Sequence, residues 1–184
     1  MGNGFSKYLL YMGLILFFFV MLVFLLVLKL RKQKPPTKNG IIDTGNVSVF
    51  FDRNENAVII PYVKDKFGVG RATTDVQFLN KPYNSQTLGG TLRRAMISGS
   101  ASEACSDREL MDKLGFRGWK DFSEGKRNIS VHYKKEHGLV FNTTIRKQDG
   151  SYQFNYPAVS KMLNNDISDR DLGETLLLLL QKCR

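Results

Sequence analysis

Cysteine is almost missing from this 184-residue chain: Cys105 and Cys183 are too few for a disulfide scaffold, and they form no C-x-x-C redox or zinc spacing. Histidine is equally scarce. His132 and His137 lie five residues apart, without an H-E-x-x-H pattern and without a cysteine nearby, so no metal site is expected. A nucleophile elbow, a P-loop and a dinucleotide fingerprint are all lacking. Nothing in the order of residues therefore calls for catalysis, and no cofactor and no enzymatic activity are expected. With 5 Pro and 16 Gly the chain is neither collagenous nor of low complexity, while 42% hydrophobic and 24% charged residues exclude wholesale disorder.

Acidic residues are absent from residues 1–40, which hold six of the 27 basic side chains; the remaining 21 face all 17 acids, a net of +4 out of the total +10. Most of the positive excess thus belongs to the leading segment. Tyr8 to Leu28 contains no charge and no proline, and as a helix it would match the roughly 30 Å hydrocarbon core of a bilayer. A single transmembrane helix is expected there. Lys29, Arg31, Lys32, Lys34 and Lys38 follow it and only Lys7 precedes it, so the positive-inside rule predicts an inner-membrane anchor with the N-terminus outside and the remainder in the cytosol. Residues 1–40 are read as tail, span and basic linker, and residues 41–184 as one domain.

That domain repeats itself. Asn46-Val47-Ser48-Val49-Phe50-Phe51 matches Asn128-Ile129-Ser130-Val131-His132-Tyr133 at an offset of 82, which also pairs Val58-Ile59 with Val140-Phe141 and Gly68 with Gly150. Leu88-Gly89-Gly90-Thr91-Leu92 matches Leu172-Gly173-Glu174-Thr175-Leu176 at an offset of 84. Order and spacing agree over about 50 residues, which indicates structural duplication of 46–98 as 128–183.

In each copy the apolar residues alternate through a first strand, a second strand follows at Ala57 to Val63 or Leu139 to Ile145, and a third at Thr73 to Leu79 or Ser151 to Tyr156. A helix then carries Leu88, Leu92, Ala95 and Met96, or Leu172, Leu176, Leu179 and Leu180, on one face. Its glycine is expected to let it approach the sheet closely. Between the copies, Ser106 to Glu109 reads as a capping box opening a short helix that buries Leu110, Met111 and Leu114 and stops at Gly115. The fold class is α+β: after the single transmembrane helix, two duplicated three-strand-plus-helix units with a connecting helix.

Two surface stretches are candidates for binding. Asp166, Asp169, Asp171 and Glu174, set against Arg170 alone, form the densest acidic stretch and suit a basic partner, although acids beside a helix start also complement its dipole. Lys113, Arg117, Lys120, Lys126 and Arg127, with Phe116 and Trp119 among them, give the opposite, a basic-aromatic surface. The acidic set is taken as the partner-binding candidate, and direct nucleic-acid binding is not expected.

The L-G-x-x-L entries at Leu88-Gly89 and Leu172-Gly173, the stretch Leu114-Gly115-Phe116-Arg117-Gly118-Trp119-Lys120-Asp121-Phe122 and the following Ile129-Ser130-Val131 strand resemble the immunity proteins of bacterial contact-dependent growth inhibition systems. The resemblance covers about residues 42–184. It implies a non-catalytic inhibitor that binds and neutralises a cognate protein toxin, and it carries over no individual functional residue. A single-pass membrane adaptor that recruits a cytosolic protein is the second reading. A membrane-tethered enzyme is the third.

Overall fold

A computed structural model describes residues 41–157 and 159–183, together with Met21. Eight strands make one curled antiparallel sheet, and each copy of the duplication supplies four of them. β1 (Asn46–Phe51) and β2 (Ala57–Lys64) are followed by the short β3 (Gly70–Ala72) and β4 (Gln77–Leu79), then by helix α1 (Ser85–Gly99). The second copy runs β5 (Arg127–Lys134), β6 (Gly138–Arg146), β7 (Tyr152–Phe154), β8 (Ser160–Leu163) and α4 (Asp169–Leu180). Between them lie α2 (Asp107–Leu114) and α3 (Trp119–Ser123).

The expected third strand of each copy is two strands. β2 pairs with β3 along Tyr62 to Lys64 and with β4 along Ala57 to Ile59, and β6 divides its outer edge in the same way between β7 and β8. The interruptions have local causes. In the second copy Pro157, which has no N–H to give to a ladder, falls between β7 and β8. In the first, Thr73 bends the chain, its N–H donating to the Pro61 carbonyl and its hydroxyl accepting from the Asp75 N–H.

The membrane element is also corrected. No helix among the described residues is long and apolar enough to cross a bilayer. The longest, α1, has 15 residues, about 22 Å of rise against the roughly 30 Å required, and carries Arg93 and Arg94. The span expected at Tyr8 to Leu28 lies outside the described residues apart from Met21.

The two copies meet at β1 and β5, so the sheet order is β3-β2-β1-β5-β6-β7. In that central pair Ser48 stands opposite Ser130, Val47 opposite Val131 and Val49 opposite Ile129. Residues equivalent by the offset of 82 therefore exchange places about a pseudo-twofold axis through the two serines. On one face of the sheet Val47, Val49, Phe51, Ile59, Ile129, Val131 and Phe141 bury against Leu88, Leu92 and Met96 of α1 and Leu172 and Leu176 of α4. The period-2 and period-3.6 patterns converge here on one core.

The repeated glycine bears on the other helix rather than on the sheet. A Cβ on Gly89 would lie 1.7 Å from the Asp169 carbonyl oxygen, and one on Gly173 would lie 1.9 Å from that of Ser85. Ser85 and Asp169 are themselves equivalent at the offset of 84, so α1 and α4 touch by the same pair of positions exchanged. Each helix also starts a turn earlier than the L-G motif suggests, capped by Asn84, which accepts from the Thr87 N–H, or by Ser168, which accepts from the Asp171 N–H.

The sheet's second face is roofed on one side only. α2 opens on the expected capping box, with Ser106 and Glu109 bonding reciprocally, and ends at Gly115 in the left-handed region at φ 76°. Its Leu110, Met111 and Leu114, with Phe122 of α3, cover Phe50 and Ile60. Phe50 meets Trp119, Phe122 and Tyr152 edge-on at centroid distances of 5.6, 5.0 and 5.5 Å.

Candidate functional site

The pseudo-twofold axis makes the unroofed half of the second face legible. Along the strand register, Tyr62, Asn46, His132, Val140 and Met162 form one row across β2, β1, β5, β6 and β8. Its symmetry equivalent is the row of Thr144, Asn128, Phe50, Val58 and Phe78, which includes the Phe50 that α2 and α3 cover. His132 thus stands where the covered half has Phe50, and Asn142 where it has Ile60. Polar His132 and Asn142 have replaced apolar Phe50 and Ile60 on the half that α2 and α3 leave uncovered, whereas Val140, 4% exposed, and Met162, 56% exposed against 54% for Phe78, match their apolar equivalents. One half of this face is core; the other presents side chains outward.

A cleft of about 1110 Å³ lies over the outward half, bounded by Asp43 to Asn46, by Tyr62 to Phe67 at the β2–β3 turn, by Ser100 to Ala104 with the exception of Ala101, and by His132 to Lys134. Lys64, Lys66 and Lys134 bring positive charge to it, and Asp43, Asp65 and Glu103 bring negative charge. Asp65 is committed to the fold: its carboxylate accepts from the Phe67 and Val69 N–H groups and pairs with Arg71 at 3.4 Å, and these bonds, the Val69 one foremost, hold its pKa below the usual carboxylate range. Burial pushes the Tyr62 phenol up, partly offset by its hydrogen bond with Ser48. The cleft therefore presents a phenol, an imidazole and three ammonium groups beside two carboxylates, Asp43 and Glu103, that no ion pair among the described residues engages.

His132 in this cleft has its pKa lowered, first by burial and then by the neighbouring Lys134. A depressed imidazole pKa means that the folded state prefers the neutral ring, so its contribution is complete above the unfolded value near 6.5 and is lost as the pH falls below that. Urea denaturation of the wild type is expected to show stability declining from pH 7 toward pH 5, and His132→Phe, which copies Phe50, is expected to flatten that decline. An equal slope in both proteins would remove His132 as its source.

Searches against protein-family models and against curated proteins find no match. Solved structures share the fold. They include a protein of unknown function from Neisseria meningitidis, with a TM-score of 0.61 at 14% identity over 80% of this chain and 100% of that one. They also include a chain of the CdiA-CT/CdiI toxin and immunity complex from Yersinia pseudotuberculosis, with a TM-score of 0.58 at 12% identity over 79% of this chain and 100% of that one. One structural relative thus comes from a toxin–immunity complex.

The acidic candidates have other occupations. Asp169 accepts from Arg93 Nε at 2.5 Å, and that guanidinium, with a side chain only 6% exposed, also donates to the Ile167 carbonyl. The Asp171 carboxylate accepts from the Ser168 hydroxyl at 2.5 Å, and Glu174 pairs with Arg170 one turn away at 3.5 Å. Asp166 is exposed. The four lie at the start of α4 and just before it, away from the cleft, with Asp169, Asp171 and Glu174 inside the helix rather than on a loop.

The basic-aromatic stretch is likewise divided. Lys126 donates to the Phe122 carbonyl at 2.6 Å and stacks over Phe116 and Phe122 at 4.7 Å, while Arg127 donates to the Leu180 carbonyl at 3.3 Å. Arg117, which pairs with Asp121 at 3.4 Å, remains 94% exposed. Among the described residues no cluster of His, Cys, Asp and Glu is arranged to hold a metal. Cys105 and Cys183 are free, and burial raises both thiols, which keeps them protonated and weakly nucleophilic. The residues of the outward sheet face were missed in the sequence because Asn46, Ser48, Ser130, His132 and Asn142 read as the solvent side of ordinary strands; only the exchange of Phe50 for His132 between the copies signalled them.

Proposed function

We propose that this chain is an immunity protein that binds a cognate protein toxin and neutralises it by occlusion, without chemistry of its own. The observation that carries the reading is the half-roofed sheet: a fold shared with a chain of a toxin–immunity complex, with a polar cleft on the one half that α2 and α3 leave open. An inhibitor needs a shaped surface and no nucleophile, in keeping with two protonated thiols. In this reading the domain meets its toxin in the cytosol, where free cysteines are stable. Specificity resides in the side chains of the open face, which are free to vary without disturbing the helix-side core.

Co-expression supplies the test. If the gene immediately upstream encodes a large secreted effector, the full chain is expected to rescue cells producing its C-terminal domain and to co-purify with it. Ser130→Arg, which places a cation on the pseudo-twofold axis at the edge of the open face, is expected to weaken the complex at least about thirtyfold while the chain stays folded, since an unpaired charge buried in an interface costs several kcal/mol. Absence of rescue by the wild type, or full rescue by Ser130→Arg, would remove the reading.

A further inference from the structure

Where the pseudo-twofold axis emerges, at the boundary between the open and the roofed halves, a second cavity of about 290 Å³ lies beside the cleft and shares Asn46 and Tyr62 with it. Eleven residues line it and none is charged, in a chain of which 24% is charged. Its floor is Phe50, Asn128 and Thr144, all no more than 3% exposed. Its walls are the rings of Trp119, Tyr152 and Phe154. The edge-on contacts of Phe50 with Trp119 and Tyr152 fix two of those walls, so the space is preorganised.

The polar groups inside are only partly used. Asn128 donates one amide hydrogen to the Val49 carbonyl at 3.4 Å, and the Thr144 hydroxyl is shared between the Asn128 backbone carbonyl at 2.8 Å and its side-chain oxygen at 3.1 Å, which leaves the second amide hydrogen for an occupant. The Ser130 hydroxyl, half-buried at the rim, has no hydrogen-bond partner among the described residues. An ion entering here would lose water and gain no counter-charge, and a hydrocarbon would leave these donors unpaired at about 1–3 kcal/mol each. A neutral, planar group with a donor and an acceptor on one edge meets both conditions.

We propose that this cavity seats the carboxamide of an asparagine or glutamine side chain presented by the protein partner. The volume suits one side chain, and the adjoining cleft of about 1110 Å³ has room for the backbone that carries it. The assignment rests on the protein-binding reading above and names the chemistry of its anchor residue.

Trp119 is the single tryptophan of the chain and lines both this cavity and a hollow against α2 bordered by Asp107, Arg108 and Asp112, so a change in its emission is assigned to this cavity where Ser130→Asp alters it. Benzamide, benzoate and benzamidine share a ring and a planar head and differ in charge. In titrations of the full chain, benzamide is expected to change Trp119 emission saturably, with a Kd at least about tenfold below those of the two ions. Ser130→Asp is expected to make benzamidine the tightest of the three, with an unchanged circular dichroism spectrum. Binding of benzamide no tighter than its charged analogues, or an unaltered order in folded Ser130→Asp protein, would overturn the assignment. These probes involve no toxin, so such a result leaves the co-expression test of the immunity reading independent.

Discussion

Gly89→Ala and Gly173→Ala are each expected to destabilise the domain by about 3 kcal/mol or more and to lower its melting temperature by roughly 10 °C. The added methyl groups would lie 1.7 and 1.9 Å from backbone carbonyl oxygens of the opposite helix, where no rotamer change can make room. Relief requires α1 and α4 to separate, and that loosens Leu88, Leu92, Leu172 and Leu176 in the core beneath. Gly118→Ala is the control, because a Cβ there meets nothing within 4 Å and the backbone is extended at φ 179°. Thermal melts in which all three variants stay within two degrees of the wild type would disprove the close helix contact.

Arg93→Met is expected to cost about 2–3 kcal/mol, because it takes a charge-assisted hydrogen bond from Asp169, whose side chain is 29% exposed, and the guanidinium from the Ile167 carbonyl. The double variant Arg93→Met/Asp169→Leu is expected to recover most of that loss, since a buried ion pair often gives way to apolar side chains at little net expense. Equilibrium urea unfolding distinguishes the cases: a single variant within 1 kcal/mol of wild type, or a double variant no better than the single, would show that the pair is not a buried link between the two copies. The pair also guides work on the acidic stretch. A substitution at Asp169 that abolishes toxin binding reports first on the α1–α4 junction, whereas one at Asp166, which is exposed, reports on the surface.

The duplication was legible because strand alternation and the L-G-x-T-L motif survive in both copies at nearly constant spacing. From it followed the α+β class, the order of the long strands and the apolar faces of α1 and α4. The capping box at Ser106 to Glu109 gave α2 almost to the residue, since reciprocal side-chain bonds there are purely local. The split of each third strand was not legible. It depends on the curl of β2 and β6 and on where a proline or a bent threonine interrupts the edge, which period-2 patterning does not encode. The purpose of the repeated glycine was misread for a similar reason: a glycine announces a close approach but not which backbone makes it. The acidic candidates are ambiguous in sequence because capping, dipole complementarity and partner recognition select the same residue types at a helix start. The open face escaped notice because serine and asparagine at alternate strand positions look the same whether they meet water or a partner.

Roofing only one half of a twofold sheet face gives the two halves different liberties. On the sheltered side, a change at Phe50 or Ile60 disturbs α2 and α3 and threatens the integrity of the molecule. On the bare side, a change at His132 or Asn142 meets neither α2 nor α3 and leaves that packing standing. The pair of short helices between the two copies thus turns one half of a repeated surface into core and leaves its twin free of that constraint.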